Sequence, residues 1–293
     1  MLLGEHAVLH GKHAIVAAVD QRLHVYLTPR EDFRISIESA LGHYESSLAN
    51  LKIEMPFTFV LSVIRGLAQG QVKGFDLRID SEFSSTMGLG SSAAVLVATA
   101  AAVMRYWKVE ADLFETTYRS LIKVQGRGSG ADLAAAIHGG VILFKANAEP
   151  LFLTKGSRRG FALRLVYSGY KTPTTEVIAI VEAARQQDPE TFARLFDDID
   201  ETVLVGAAAL RIDNWTGFAK AMDRNQALME KLGVCDETLA RIIADLRQEP
   251  DVLSAKISGS GLGDCVYALC RSREGGDPDL DPQISEQGVL FHD

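Results

Sequence analysis

"STMGLGSSAAVLVATAAAV", residues 85–103, decides how this 293-residue chain reads. Two glycines and two serines precede an uninterrupted run of small apolar residues. The run predicts a helix beginning at Ser91 or Ser92. The first backbone N–H groups of such a helix have no partners within it, and they carry the positive end of its dipole, which attracts phosphate. Gly88 and Gly90 remove side chains where an anion would approach the backbone, and Ser91 and Ser92 offer hydroxyls for capping, for phosphate oxygens or for Mg²⁺. Taken alone, the stretch reads equally well as a glycine-containing turn with a serine N-cap. It is not a P-loop, because no Gly-Lys-Ser/Thr closes it, and it lacks the strand-to-helix form of a dinucleotide fingerprint.

Outward from this stretch the chain mixes strands and helices. "HAIVAAV" (13–19) and "RLHVYLTPR" (22–30) read as strands joined by Asp20-Gln21, and "FRISIES" (33–39) and "GFDLRIDSE" (74–82) alternate as half-buried strands do. Residues 55–69 and 112–124 have helical spacing, and "GGVILFKA" (139–146) reads as a strand. A second pattern begins with the strand "FALRLVYSGY" (161–170), continues through several helices between Thr174 and Gln248, and ends on the strand pair "SAKISGS" (254–260) and "DCVYALC" (264–270). The polar "KGSRRG" (155–160) predicts a boundary, giving domains 1–158 and 159–293.

Composition bounds the function. Hydrophobic residues make up 47% and charged residues 23%, the profile of a folded globular protein. The net charge of −8 offers no general attraction to nucleic acid or to an anionic membrane, so an anionic ligand must be held by local groups. Three cysteines, Cys235, Cys265 and Cys270, lack metal-type spacing and predict buried thiols in a reducing, cytoplasmic compartment. No leader or membrane span is expected, and self-association as a homodimer stays open.

Two more glycine-rich segments change the odds. "VQGRGSGADLAAAIHGG" (124–140) sets Asp132 just after a flexible loop, at an expected helix start. "AKISGSGLGDC" (255–265) puts Gly259, Gly261 and Gly263 ahead of a strand. One such loop is ordinary, but three in one chain are not.

Together "GEHAVLHG" (4–11), "GLGSSAA" (88–94), "GSGAD" (128–132) and "KISGSGLGD" (256–264), in this order, resemble the GHMP small-molecule kinases over nearly the whole chain. Glu5-His6 followed by Ala-Val-Leu-His-Gly is most similar to the mevalonate kinases among them. The resemblance implies a two-domain α/β fold with ATP, Mg²⁺ and a small alcohol, mevalonate first, meeting in the interdomain cleft. It implies that Gly88, Leu89, Gly90, Ser91 and Ser92 hold the nucleotide phosphates, with Ser92 toward Mg²⁺, and that Asp132 is the catalytic carboxylate. Glu5, His6, Gly259, Ser260 and Gly261 would lie toward the substrate, and Lys171 and Thr174 could touch it.

Two departures stand out. The family's N-terminal signature has Pro-Gly-Lys shortly before the Gly-Glu-His segment, a position upstream of Met1 here. A chain starting at Met1 is therefore expected to be handicapped and rescued by upstream residues, unless Lys123, Arg127 or Lys171 fills the role. Leu121 stands about where many mevalonate kinases carry a Mg²⁺-binding glutamate. The rival readings are a phosphomevalonate kinase, a diphosphomevalonate decarboxylase, or a non-catalytic sensor that keeps the fold.

Overall fold

A computed structural model describes residues 1–83, 90–153, 161–271 and 283–292. In chain order the elements are β1 (Ala14–Ala17), β2 (Leu23–Pro29), β3 (Arg34–Ser39), β4 (Gly42–Ser47), α1 (Thr58–Leu67), β5 (Phe75–Ser81), α2 (Ser91–Trp107), α3 (Leu113–Gln125), α4 (Ala131–His138), β6 (Val141–Phe144), β7 (Leu151–Phe152), β8 (Phe161–Lys171), α5 (Thr174–Gln187), α6 (Pro189–Arg211), α7 (Trp215–Lys231), α8 (Glu237–Leu246), β9 (Val252–Ser258) and β10 (Gly263–Arg271). Single 3₁₀ turns cover Ala7–His10 and Leu48–Asn50.

Packing divides the chain into two compact units, and neither is one continuous segment. One gathers the described residues of Met1–Asp20 and Gly139–Gln287; the other gathers those within Gln21–Ser85, Leu89–His138 and Gly288–Asp293. The sequence reading placed a single cut after residue 158, within a stretch that lies outside the described residues. The units are discontinuous because β1 has its partner far along the chain: it pairs antiparallel with β6, Ala14 opposite Phe144.

The unit containing α2 is built on a four-stranded sheet in the order β2-β5-β3-β4, antiparallel except for the parallel β3–β5 pair. Ile35, Ile37, Phe75 and Leu77 on this sheet pack with Val60, Leu61 and Ile64 of α1 and Val103 of α2. A second cluster joins Ala93, Leu96, Val97, Ala100 and Met104 of α2 to Leu121 of α3 and Leu133 of α4. Thus α2 is buried against partners on both sides. A helix enclosed in this way needs small side chains for close approach, which accounts for its alanine-rich composition. Asp112 starts α3 by accepting the Glu115 N–H at 2.7 Å, a start signal written in the local sequence.

The other unit holds two three-stranded sheets, β1-β6-β7 and β8-β10-β9, all antiparallel. Their core takes Val266 and Leu269 from β10, Ile257 from β9, Ile199 and Val203 from α6, and Met222 and Met229 from α7. Asp188, Asn214 and Asp236 cap α6, α7 and α8 through their side-chain oxygens. Among the described residues no helix is long and apolar enough to cross a membrane.

Candidate active site

Gly90 supplies the turn into α2. Its φ of 76° and ψ of 30° are left-handed, a conformation that costs an L-residue ~1–2 kcal/mol. The helix then starts at Ser91, and among the described residues no side chain caps its first turn. Ser91 and Ser92 are half-buried. The start of α2 is therefore a cluster of backbone donors with serine hydroxyls beside it. Gly88 and Leu89 lie outside the described residues.

Asp132 sits in the first turn of α4 and is exposed. A Cβ added at Gly90 would stand 3.9 Å from the Asp132 Cβ, so the carboxylate-bearing turn and the open start of α2 are neighbours. Packing on α3 sets this approach. Phe114, Tyr118 and Leu121 follow an i, i+4, i+7 spacing along one helix face. Leu121 Cδ2 lies 2.9 Å from where a Gly128 Cβ would be, and the rings of Phe114 and Tyr118 lie 2.9 and 3.1 Å from a Cβ at Gly130. The Tyr118 hydroxyl donates to the Gly128 carbonyl at 3.3 Å. The Ser129 hydroxyl accepts the Ala131 N–H at 3.2 Å and turns the chain into α4. The glycines at 128 and 130 thus let the loop lie flat on α3, which carries Asp132 to its place. Leu121 is a core residue in this arrangement.

The remaining expected residues belong to the other unit. Glu5 is 2% exposed, and its Oε1 accepts the Lys256 ammonium at 2.6 Å. His6 is buried, with φ of 61°, and its Nε2 donates to the Ser260 carbonyl at 2.8 Å. A carbonyl only accepts, so the proton on this ring is at Nε2. Burial pushes the His6 pKa below its ordinary 6.5, against the opposing pull of Ser260 and Glu5. Gly259, Ser260 and Gly261 form the turn between β9 and β10, and the Leu262 N–H donates to the Val234 carbonyl at 2.9 Å. Lys171, at the end of β8, pairs with Asp264 at 3.0 Å. Asp264 is buried, and its Oδ1 has no hydrogen-bond partner among the described residues. Thr174 is the first residue of α5, exposed, with Pro173 in the N-cap position.

Lys256 and Asp264 were assigned no role on the sequence alone. Lys256 did leave a signal, a lone cation in the otherwise alternating strand "SAKISGS". Its partner lies 251 residues away, so nothing local marks the pair. The three cysteines form no disulfide among the described residues; burial raises the Cys235 thiol and pushes Cys265 up to about 12, which leaves both protonated and unreactive.

Comparison with known proteins places these motifs. The GHMP kinases N terminal domain matches residues 58–140 and the GHMP kinases C terminal domain matches residues 207–280, together more than half of the chain. A mevalonate kinase of Archaeoglobus fulgidus is 31% identical over 278 residues, 94% of this chain and 90% of that protein. The crystal structure of the Methanococcus jannaschii mevalonate kinase superposes with a TM-score of 0.75 at 26% identity, covering 92% of this chain and 87% of that one. That of the L. major enzyme in complex with R-mevalonate gives 0.72 at 25% identity, covering 92% and 84%. With its glycine-rich motifs in the family's order and both domains matched, the chain belongs to the GHMP kinases and is a mevalonate kinase-like phosphotransferase.

Proposed function

We propose that the protein transfers the γ-phosphoryl group of ATP to the primary hydroxyl of mevalonate, giving 5-phosphomevalonate. The observation that carries this reading is the approach of Asp132 to the glycine-lined start of α2, both within one packing unit. The chemistry needs anion-binding donors beside a proton acceptor. Backbone N–H groups at Gly90, Ser91 and Ser92 would hold the nucleotide phosphates, and Gly88 and Leu89 precede them in the motif. Asp132 would accept a hydrogen bond from the acceptor hydroxyl and take its proton as the phosphoryl group leaves the nucleotide. Catalysis would rest on positioning and charge neutralisation rather than on a covalent intermediate.

The donor set also fits Mg²⁺ as nucleotide kinases use it, through one or two protein groups plus substrate phosphates. Ser92 offers the hydroxyl that would hold it, together with the nucleotide phosphates, and it would supply neutralisation of phosphate charge. Leu121 offers no ligand. On the acceptor side the reading takes His6, Gly259, Ser260, Gly261, Lys171 and Thr174, with Glu5 beside them. It places the reaction in the cleft between the sequence domains 1–158 and 159–293. The reading goes with a reducing, cytoplasmic setting, and a homodimer is compatible with it.

A coupled ADP-release assay against mevalonate, phosphomevalonate, homoserine and galactose tests the proposal. Turnover with mevalonate at least tenfold above the other three is expected. Release with phosphomevalonate alone, or with none of them, refutes it.

A further inference from the structure

The Lys256 side chain is fully buried, donating at 2.6 Å to Glu5 Oε1 and at 2.6 Å to the Ile257 carbonyl, with the Tyr267 ring centroid 5.3 Å from its ammonium. Glu5 Oε2 is buried with no hydrogen-bond partner among the described residues. A buried ion pair left partly unsatisfied is poor value for stability, because a well-packed apolar pair of similar volume does as well or better. Its worth must lie in what it orients.

Glu5 precedes His6, whose φ of 61° and ψ of −51° make a strained γ-turn, closed by the Ala7 N–H donating to the Glu5 carbonyl at 2.7 Å; such a backbone persists only where its surroundings over-determine it. The His6 ring reaches Ser260, four residues beyond Lys256 along the chain. Lys256, Glu5, His6 and Ser260 therefore close a ring of two side-chain contacts and two short backbone segments. The approach to that ring is pinned as well. The Tyr267 hydroxyl donates to the Leu2 carbonyl at 2.6 Å, and the Ser258 hydroxyl to the Met1 carbonyl at 3.2 Å. All these residues lie in one packing unit.

We propose that Lys256 is a positioning residue: by holding Glu5 it fixes the strained His6 turn against the Ser260 turn, so that the two motif-bearing turns behave as one rigid element. Its catalytic consequence rests on the kinase reading above. Neither Lys256 nor Glu5 has to touch the substrate for this, since both are spent on each other.

The test replaces both partners in the full chain, Lys256→Met with Glu5→Met, because either single change strands a buried charge and can fail to fold. The double variant is expected to melt within a few degrees of the parent. Amide hydrogen exchange over residues 4–11 and 259–263 should rise together by at least tenfold, with the rest of β9 and β10 unchanged. ADP release with mevalonate should show kcat down about 100-fold, the scale of an ångström-level misplacement, with KM for both substrates within threefold. Unchanged exchange in either segment, or kcat within threefold of the parent in a folded variant, overturns the proposal. So does a raised KM for mevalonate with kcat retained, which would make Glu5 a substrate contact. Should the double variant not fold, exchange of the unmodified protein at high pH decides: one common opening rate for the two segments supports the coupling, and separate rates overturn it. An unmodified chain that releases no ADP with mevalonate refutes the kinase reading, while the exchange data still decide the coupling.

Discussion

Replacing Gly90 with alanine separates an anion-binding role at the start of α2 from a merely structural one. The backbone there is left-handed, with φ of 76°, so alanine costs ~1–2 kcal/mol of strain, offset by up to ~1 kcal/mol from a stiffer unfolded chain. No clash adds to this, because the new Cβ meets the Asp132 Cβ at 3.9 Å, an ordinary contact. A net loss of about 1 kcal/mol lowers the melting point by a few degrees. On the proposed reading, the same methyl would stand where a phosphate oxygen comes within ~2.9 Å of the helix N–H groups. Losing one such donor to developing charge typically costs ~10²–10³ in kcat. Gly70→Ala is the matched control: Gly70 lies in the turn after α1 with φ of 77° and nothing within 4 Å of an added Cβ. Both variants should melt at similar temperatures, measured by scanning calorimetry. In the ADP-release assay with mevalonate only Gly90→Ala should fall, with weaker binding of a fluorescent nucleotide. Equal turnover in the two variants would refute the assignment of phosphate binding to this helix start.

Asp132→Asn keeps the shape of the side chain and removes the proton acceptor, so turnover should drop at least ~10²-fold while nucleotide affinity changes little; near-normal turnover would remove Asp132 from the chemistry. Gly130→Ala drives a methyl to within 2.9 Å of the Phe114 ring at a φ of 79°, and overpacking of this kind costs ~1–3 kcal/mol; calorimetry should show the loss, and turnover should fall with it because the loop carries Asp132. His6 is held neutral by burial, its pKa below 6.5. Above pH 6.5 both folded and unfolded states are neutral there; below it the unfolded state takes up the proton first, so stability declines from pH 6.5 down to the lowered folded value, by at most about 1.4 kcal/mol per pH unit. His6→Gln should flatten that part of a melting-point profile between pH 7.5 and 5, and an unchanged slope would assign the acid sensitivity to other groups.

What the sequence made legible was what local pattern encodes. A run of small apolar residues after two glycines predicts α2, and the structure begins it at Ser91. The alternation in "SAKISGS" and "DCVYALC" predicts two strands, and they pair antiparallel as β9 and β10. β4 lacks a sequence signal because its residues, "GHYESS", are polar and only Tyr44 is buried, so no alternation betrays it. β1 and β2 read as strands joined at Asp20-Gln21, yet they belong to different sheets, because β1 is claimed by β6 more than a hundred residues later. The same limit hid the Glu5–Lys256 pair. Long-range pairing leaves almost no trace in a window of neighbouring residues.

Leu121 shows how a departure from a family pattern acquires physical meaning once its neighbours are known. The resemblance puts a carboxylate about there, and a leucine reads as a lost metal ligand. In the fold it is one of three α3 side chains that the Gly128–Gly130 loop lies on, and it belongs to the cluster that joins α2, α3 and α4. A glutamate buried at that position would need a cation to offset its desolvation. A leucine holds the loop without one. The loop that delivers Asp132 is thus supported by apolar packing that is complete before any ligand binds. On the proposed reading, the charge of the triphosphate would then be countered by the open start of α2, by the Ser92 hydroxyl and by the Mg²⁺ that arrives with the nucleotide. In a chain of net charge −8, with no basic field to draw anions in, a fixed array of backbone donors is the local device that can do this.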